Sequence, residues 1–96
     1  MEEYLPLGSV VQLKKATKPV IIIGYMVVEN DHPDKVWDYL ACPYPIGVVD
    51  MDKNFIFQKE QIDKVIFKGY TDVEGESFLT ALKDLDKMQK PVEKND

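Results

Sequence analysis

Two side chains of this sequence have the chemistry of a catalytic nucleophile and its base, the thiol of Cys42 and the imidazole of His32. Each is the only residue of its type in the chain. A histidine that accepts the thiol proton makes cysteine a nucleophile, and such pairs are assembled from residues distant in sequence. The plainer interpretation is an exposed loop histidine and a small buried cysteine. We favour the plainer interpretation, because His32 lies in a turn with no thiol near it in sequence.

Four aspartates in turns are the next candidates, since carboxylate oxygens bind calcium and magnesium. They are Asp31, Asp34, Asp50 and Asp52. Their spacing does not follow the D-x-D-x-D-G pattern of a calcium loop, and aspartate is a common turn former. The sequence also lacks a glycine-rich phosphate loop and any H-E-x-x-H, C-x-x-C or G-x-S-x-G motif. It therefore predicts no enzyme, no metal and no cofactor, and gives no reason to expect a small-molecule ligand.

A group of aromatic residues offers binding rather than catalysis. Trp37, Tyr39 and Tyr44 lie close together in sequence, and Tyr25 belongs to a neighbouring predicted strand. Such residues line peptide grooves in small barrels, but large side chains also fill the core of a small domain. The core is the favoured interpretation for Trp37, whereas both interpretations stay open for Tyr39 and Tyr44.

The charge balance points away from nucleic acid and membrane surfaces. The chain has 17 acidic and 12 basic residues, a net charge of −5, and all of its basic residues are lysines. Arginine is the preferred residue for phosphate and base-edge recognition, so its absence disfavours nucleic acid and anionic lipid as partners. The longest apolar run, 20–28, is too short to cross a bilayer, and the N-terminus has no signal-peptide pattern. We expect a cytoplasmic protein without membrane insertion.

The elements that position these residues begin with three predicted strands. Residues 9–15 alternate as a half-buried strand, and residues 20–28 form a continuous apolar strand bent at Gly24. Residues 35–42 alternate again, with apolar groups on both faces and only Asp38 marking solvent.

The segment 55–70 predicts a short strand, a turn and a last strand. Val65 and Phe67 are expected to face the core, with Ile66 on the opposite face. A helix follows, because Thr71-x-x-Glu74 resembles a capping box and Pro91 stops the helix by about residue 90. Its apolar residues recur at helical spacing: Phe78, Leu79, Leu82, Leu85 and Met88.

This order of elements predicts a mainly β protein with a C-terminal helix. Short strands joined by short turns, with a one-turn helix before the last strand, favour a small SH3-like antiparallel barrel of about five strands. The alternative is an open antiparallel sheet with the helix packed across it. The predicted domain spans residues 1–90, and residues 91–96 form a polar tail.

Four sequence blocks resemble the domain-of-unknown-function 4176 family of Gram-positive bacteria. The similarity covers about residues 4–80. The blocks, in order, are Y-L-P-L-G-S-V-V-x-L-K at 4–14, I-I-G-Y at 22–25, W-D-Y-L-A-C-P-Y-P-x-G at 37–47 and I-D-x-V-I-F-x-G-Y at 62–70.

This resemblance implies a small cytosolic accessory protein or targeting chaperone that binds a cognate LXG-class effector of type VII secretion. The alternative is an immunity protein that neutralises a toxin domain, for which a small acidic protein is suited. Neither role requires catalysis. The residues predicted to contact a protein partner are Tyr39, Tyr44, Ile66, Phe78 and Leu82.

Overall fold

The computed structural model describes residues 3–89, so the polar tail predicted over 91–96 lies outside the described residues. The strands within this range are β1 (Val10–Leu13), β2 (Val20–Glu29), β3 (His32–Pro43), β4 (Phe55–Phe57) and β5 (Ile62–Phe67). Single 3-10 turns at Met51–Lys53 and Lys59–Gln61 lie on either side of β4, and α1 spans Val73–Gln89.

The five strands form one antiparallel sheet in the order β4-β3-β2-β1-β5. The mainly β prediction with a C-terminal helix is therefore confirmed. The sheet is open rather than closed into the favoured barrel, because the edge strands β4 and β5 do not pair with each other in the described residues. The alternative prediction, an open antiparallel sheet with the helix packed across it, is confirmed, since Leu79 and Leu82 of α1 belong to the hydrophobic core.

The hydrophobic core lies between α1 and one face of the sheet, which we call the inner face. Strand register places the core residues of neighbouring strands opposite each other, as in Val11 with Val20 and Ile22 with Ala41. The N-terminal lead-in closes one side of this core. The buried members of the hydrophobic core are Tyr4, Leu5, Val11, Val20, Ile22, Tyr39, Ala41, Phe57, Leu79 and Leu82.

The predicted bend in β2 is present. Ile22 lies opposite Ala41 but Gly24 lies opposite Leu40, so the register slips by one residue at Ile23. A bulge of this kind bends the strand and moves later side chains to the other face. Because of the slip, Tyr25 faces the core beside Tyr39.

Two irregularities in β5 overturn part of its predicted pattern. Val10 lies opposite Phe67 but Val11 lies opposite Val65, which leaves Ile66 as an extra residue. A second shift makes Asp63 an extra residue in the same way. Val65 therefore packs against the core as predicted, whereas Phe67 is 60% exposed on the opposite face. The prediction for Phe67 is wrong because strict alternation fails across a bulge.

The start of α1 also differs in detail from the capping box that the sequence predicts. The Asp72 carboxylate accepts a hydrogen bond from the Gly75 N–H at 2.8 Å, so Asp72 caps the helix in place of Thr71. This hydrogen bond holds the pKa of Asp72 below its usual range. Asp72 thus carries negative charge where the helix dipole favours it.

Candidate interaction surface

The two residues with catalytic chemistry lie far apart. His32 begins β3 and Cys42 is next to its last residue, so about 30 Å of extended strand separates them. Cys42 is buried and His32 is exposed. The fold therefore does not assemble the Cys–His pair that the sequence left open. Among residues 3–89, no group of three or more histidine, cysteine, aspartate or glutamate side chains could hold a metal ion.

The one acidic residue expected to mark solvent on β3 is instead buried, since Asp38 is only 1% exposed. Its carboxylate accepts hydrogen bonds from the Tyr4 hydroxyl at 2.9 Å and from the Lys59 backbone N–H at 2.8 Å. The Asp38 N–H donates to Oε1 of Gln58 at 3.1 Å. These bonds tie the N-terminal lead-in and the second 3-10 turn to β3, which is a structural role.

Of the aromatic residues that could line a groove, Tyr39 is buried in the core and Tyr25 packs against it, whereas Trp37 is only half-buried and Tyr44 is exposed. Tyr4, Tyr25 and Tyr39, which we call the core tyrosines, have ring centroids 5.4 to 5.9 Å apart. The Tyr25 hydroxyl donates to the Leu5 carbonyl, and the Tyr39 hydroxyl accepts from the Leu5 N–H. Burial raises the pKa of all three, to about 12 for Tyr25. Protonated, internally bonded hydroxyls offer nothing to a ligand.

A buried ion pair holds the C-terminal half of α1 to the sheet. Lys59 Nζ lies 3.5 Å from a carboxylate oxygen of Asp86, and both side chains are largely buried. The same ammonium group lies 4.5 Å from the centre of the Tyr4 ring, within range of a cation–π interaction. Together with Leu79 and Leu82, this pair makes one side of α1 part of the core.

The outer face of the sheet carries apolar side chains across its full width. Register places Ile56 opposite Leu40, Ile21 opposite Val10, and Val10 opposite Phe67. Leu40 and Cys42 share a face of β3, and Cys42 lies opposite Ile21. The Ile56–Leu40 pair is therefore on the same face of the sheet as the row formed by Ile21, Val10 and Phe67. The outer apolar strip therefore takes one residue from each strand: Val10, Ile21, Leu40, Ile56 and Phe67.

No element within residues 3–89 packs over this strip as α1 packs over the inner face. Four of the five strip residues are half-buried, and the fifth, Phe67, is exposed. Beyond the end of β3, the loop before β4 adds further exposed apolar side chains. Contiguous apolar surface of this kind is typical of a protein–protein contact site. The exposed loop residues are Tyr44, Ile46, Val48, Val49 and Met51.

The sheet edges are poorly suited to adding a strand from another protein. β4 has only three residues, and β5 is interrupted by the extra residues Asp63 and Ile66. Short edge strands and bulges are common ways of blocking such pairing. A partner would therefore contact side chains on the faces of the molecule rather than extend the sheet.

The five residues predicted to contact a partner divide into two groups. Tyr39 and Leu82 are buried in the core, so their side chains have no surface to offer. Tyr44, Ile66 and Phe78 are exposed, in the loop after β3, at the β5 bulge and on α1 respectively. Partner contact by these three stays a prediction. The sequence-based prediction missed the outer strip, because it placed Phe67 on the core face and did not include the bulge at Ile66.

Comparison with known proteins gives one match. A family model described as a domain of unknown function, DUF4176, matches residues 4–78. The chain belongs to this family. The match to DUF4176 covers all five strands and the first turns of α1. No curated protein and no solved structure matches the chain. In the part of this DUF4176 protein that the structure describes, no helix is long and apolar enough to cross a membrane.

Proposed function

We propose that this DUF4176 protein is a non-enzymatic accessory factor that binds a cognate LXG-class type VII secretion effector in the cytosol, as a targeting chaperone or adaptor. The outer apolar strip is the observation that carries the binding role. Exposing Phe67 and the half-buried aliphatic side chains beside it costs free energy in water, and a partner that covers them regains about 25 cal/mol per Å² of apolar area.

The partner class comes from the resemblance of the four sequence blocks to DUF4176, which implies an LXG effector. An acidic, arginine-free surface supports a protein partner over nucleic acid. The short, interrupted edge strands disfavour pairing through the backbone of β4 or β5 and support binding through the side chains of the strip.

The experiment is co-expression with an LXG effector from the same organism, followed by size-exclusion chromatography. We expect a stable complex with the wild-type chain. Phe67→Asp should weaken it by about tenfold or more, because the substitution replaces the exposed aromatic side chain of the strip with a charge that the partner would have to bury. The matched control is Val73→Asp, which makes the same change at a residue that is 86% exposed and lies away from the strip.

Separate elution of the two wild-type proteins would contradict the proposal. Equal binding by the Phe67→Asp and wild-type chains would show that the strip is not the contact surface. Crosslinking then distinguishes the two roles that a complex allows. Contact with the N-terminal export region of the effector is expected of a chaperone, whereas contact with the toxin domain and protection of cells would indicate an immunity protein.

A further inference from the structure

The solvent-facing side of α1 carries a second apolar stripe beside the one that enters the core. Its members, Phe78, Ala81, Leu85 and Met88, recur at intervals of three, four and three residues. This is the a/d spacing with which one helix packs against another. We call these four residues the α1 seam. Phe78 is 54% exposed, Leu85 41% and Met88 75%, so the docking of α1 on the sheet leaves the seam largely uncovered.

The α1 seam is held in place before any partner arrives. Leu79 and Leu82, on the neighbouring side of α1 that faces the core, are buried, and Asp86 is paired with Lys59. The Phe78 ring itself packs at 6.0 Å from the Tyr25 ring. A helix that is already formed and oriented loses little conformational entropy when a partner binds.

Charges on α1 are sorted around the seam. Glu74 lies one turn before Phe78 on the same side of the helix, and Asp84 lies three residues after Ala81 and four before Met88, at the edge of the seam. Lys83 and Lys87 project from the opposite side, more than a quarter turn away. The border of the seam is therefore acidic. A second copy of the chain would bring the same acidic border and the same net charge of −5, which disfavours self-association.

We propose that the α1 seam is the docking site for an α-helix of another protein, one with apolar residues at alternating three- and four-residue spacing and lysine or arginine beside them. The inference rests on the proposed function only in requiring a protein partner. It adds that the binding segment of the partner is a basic α-helix, and that this helix binds to a surface separate from the outer apolar strip.

The test uses a synthetic peptide of about three heptads, with isoleucine at a, leucine at d and lysine at e and g. The lysines keep the peptide from pairing with itself. Fluorescence anisotropy should show that the labelled peptide binds the full chain, and that its affinity falls as salt rises. Leu85→Glu and Met88→Glu should each raise the Kd by about tenfold or more. Thr80→Glu, a change at an exposed position of α1 about a quarter turn outside the seam, should leave it within about twofold.

Failure of the lysine peptide to bind overturns the inference. So does equal binding of a peptide with glutamate at e and g, or equal weakening by Thr80→Glu and Leu85→Glu. A concentration-dependent dimer abolished by Leu85→Glu would assign the seam to a second copy instead. Circular dichroism of each variant confirms that α1 remains folded. If the lysine peptide does not bind while the co-expressed effector still forms its complex with the wild-type chain, the seam inference fails and the proposed function stands.

Discussion

The Tyr4→Phe substitution tests how far a buried polar contact stabilises this fold. It removes one hydroxyl and leaves the ring, so the apolar packing of Tyr4 and the contact of its ring with Lys59 are kept. The lost hydroxyl donates at 2.9 Å to the carboxylate of Asp38, which is 1% exposed. Burial, then the nearby Asp38, raises the pKa of Tyr4 well above its usual range, so this hydroxyl is protonated and donates at neutral pH.

A hydrogen bond to a charged group contributes about 1.5–3 kcal/mol, because the buried partner cannot replace it with water. The Lys59 backbone N–H still donates to the other oxygen of Asp38 in the variant. We therefore expect the free energy of unfolding to fall by about 2 kcal/mol. For a domain of this size, that change lowers the Tm by about 10 °C.

Urea unfolding followed by the fluorescence of Trp37, the only tryptophan, measures the change directly. The denaturant dependence should stay the same, because the surface exposed on unfolding does not change. The matched control is Tyr70→Phe. Its hydroxyl also donates to an aspartate, Asp72, at 3.0 Å, but both residues are exposed. Water replaces that bond, so the control should unfold almost as wild type does.

Equal stability of the Tyr4→Phe and Tyr70→Phe variants would refute this reasoning. It would mean that water or another donor reaches Asp38, and that the contact between the lead-in and β3 contributes no more than a surface contact. A much larger loss, together with a changed denaturant dependence, would also count against it, because the N-terminal lead-in would then be detaching as a unit.

Two further predictions concern backbone packing and alkaline pH. Gly69→Ala should cost about 3 kcal/mol or more in urea unfolding, because a Cβ there would overlap the Leu7 carbonyl oxygen and lie 2.9 Å from Ser9 N. Gly24→Ala, whose Cβ would lie 3.5 Å from Leu40, should be tolerated. The core tyrosines have raised pKa values in the folded state, about 12 for Tyr25 against an ordinary 10.0. Their stabilisation is therefore complete below pH 10 and is lost as pH rises toward 12. Urea midpoints should fall over that range, and less steeply in Tyr25→Phe; a constant midpoint would contradict the burial of these hydroxyls.

Much of the secondary structure follows from local pattern. The alternation in β1 and β3, the bend at Gly24 and the helical spacing after residue 72 are visible in the sequence and present in the fold. These features can be predicted from sequence because the spacing of apolar residues, two in a strand and about 3.6 in a helix, indicates which face is buried. The bulges in β5 cannot be predicted from the spacing of apolar residues. They depend on how Val10 and Val11 pair with β5, which involves residues more than fifty positions away.

The exposed surface of α1 was likewise predicted in part from the sequence and decided in part by tertiary packing. Phe78 was predicted as a contact residue from its place on an amphipathic helix, and it is exposed on the α1 seam. Leu82 belongs to the same predicted stripe, yet it is buried. The stripe is wider than the core can cover, and only the angle at which α1 docks decides which edge of it stays in water.

The sequence alone determined the class of elements, their order and the family, because these depend on local periodicity, turn residues and motifs. From its residue types and motifs it also predicts a protein that is not an enzyme, and this stays a prediction. The tertiary structure decided that the sheet is open, that Asp38 and the core tyrosines are internal, and that apolar surface remains on the outer strip and the α1 seam. Those outcomes depend on strand pairing and helix docking between segments distant in sequence. A shift of one residue in strand register is enough to move a side chain from the buried face to the exposed one.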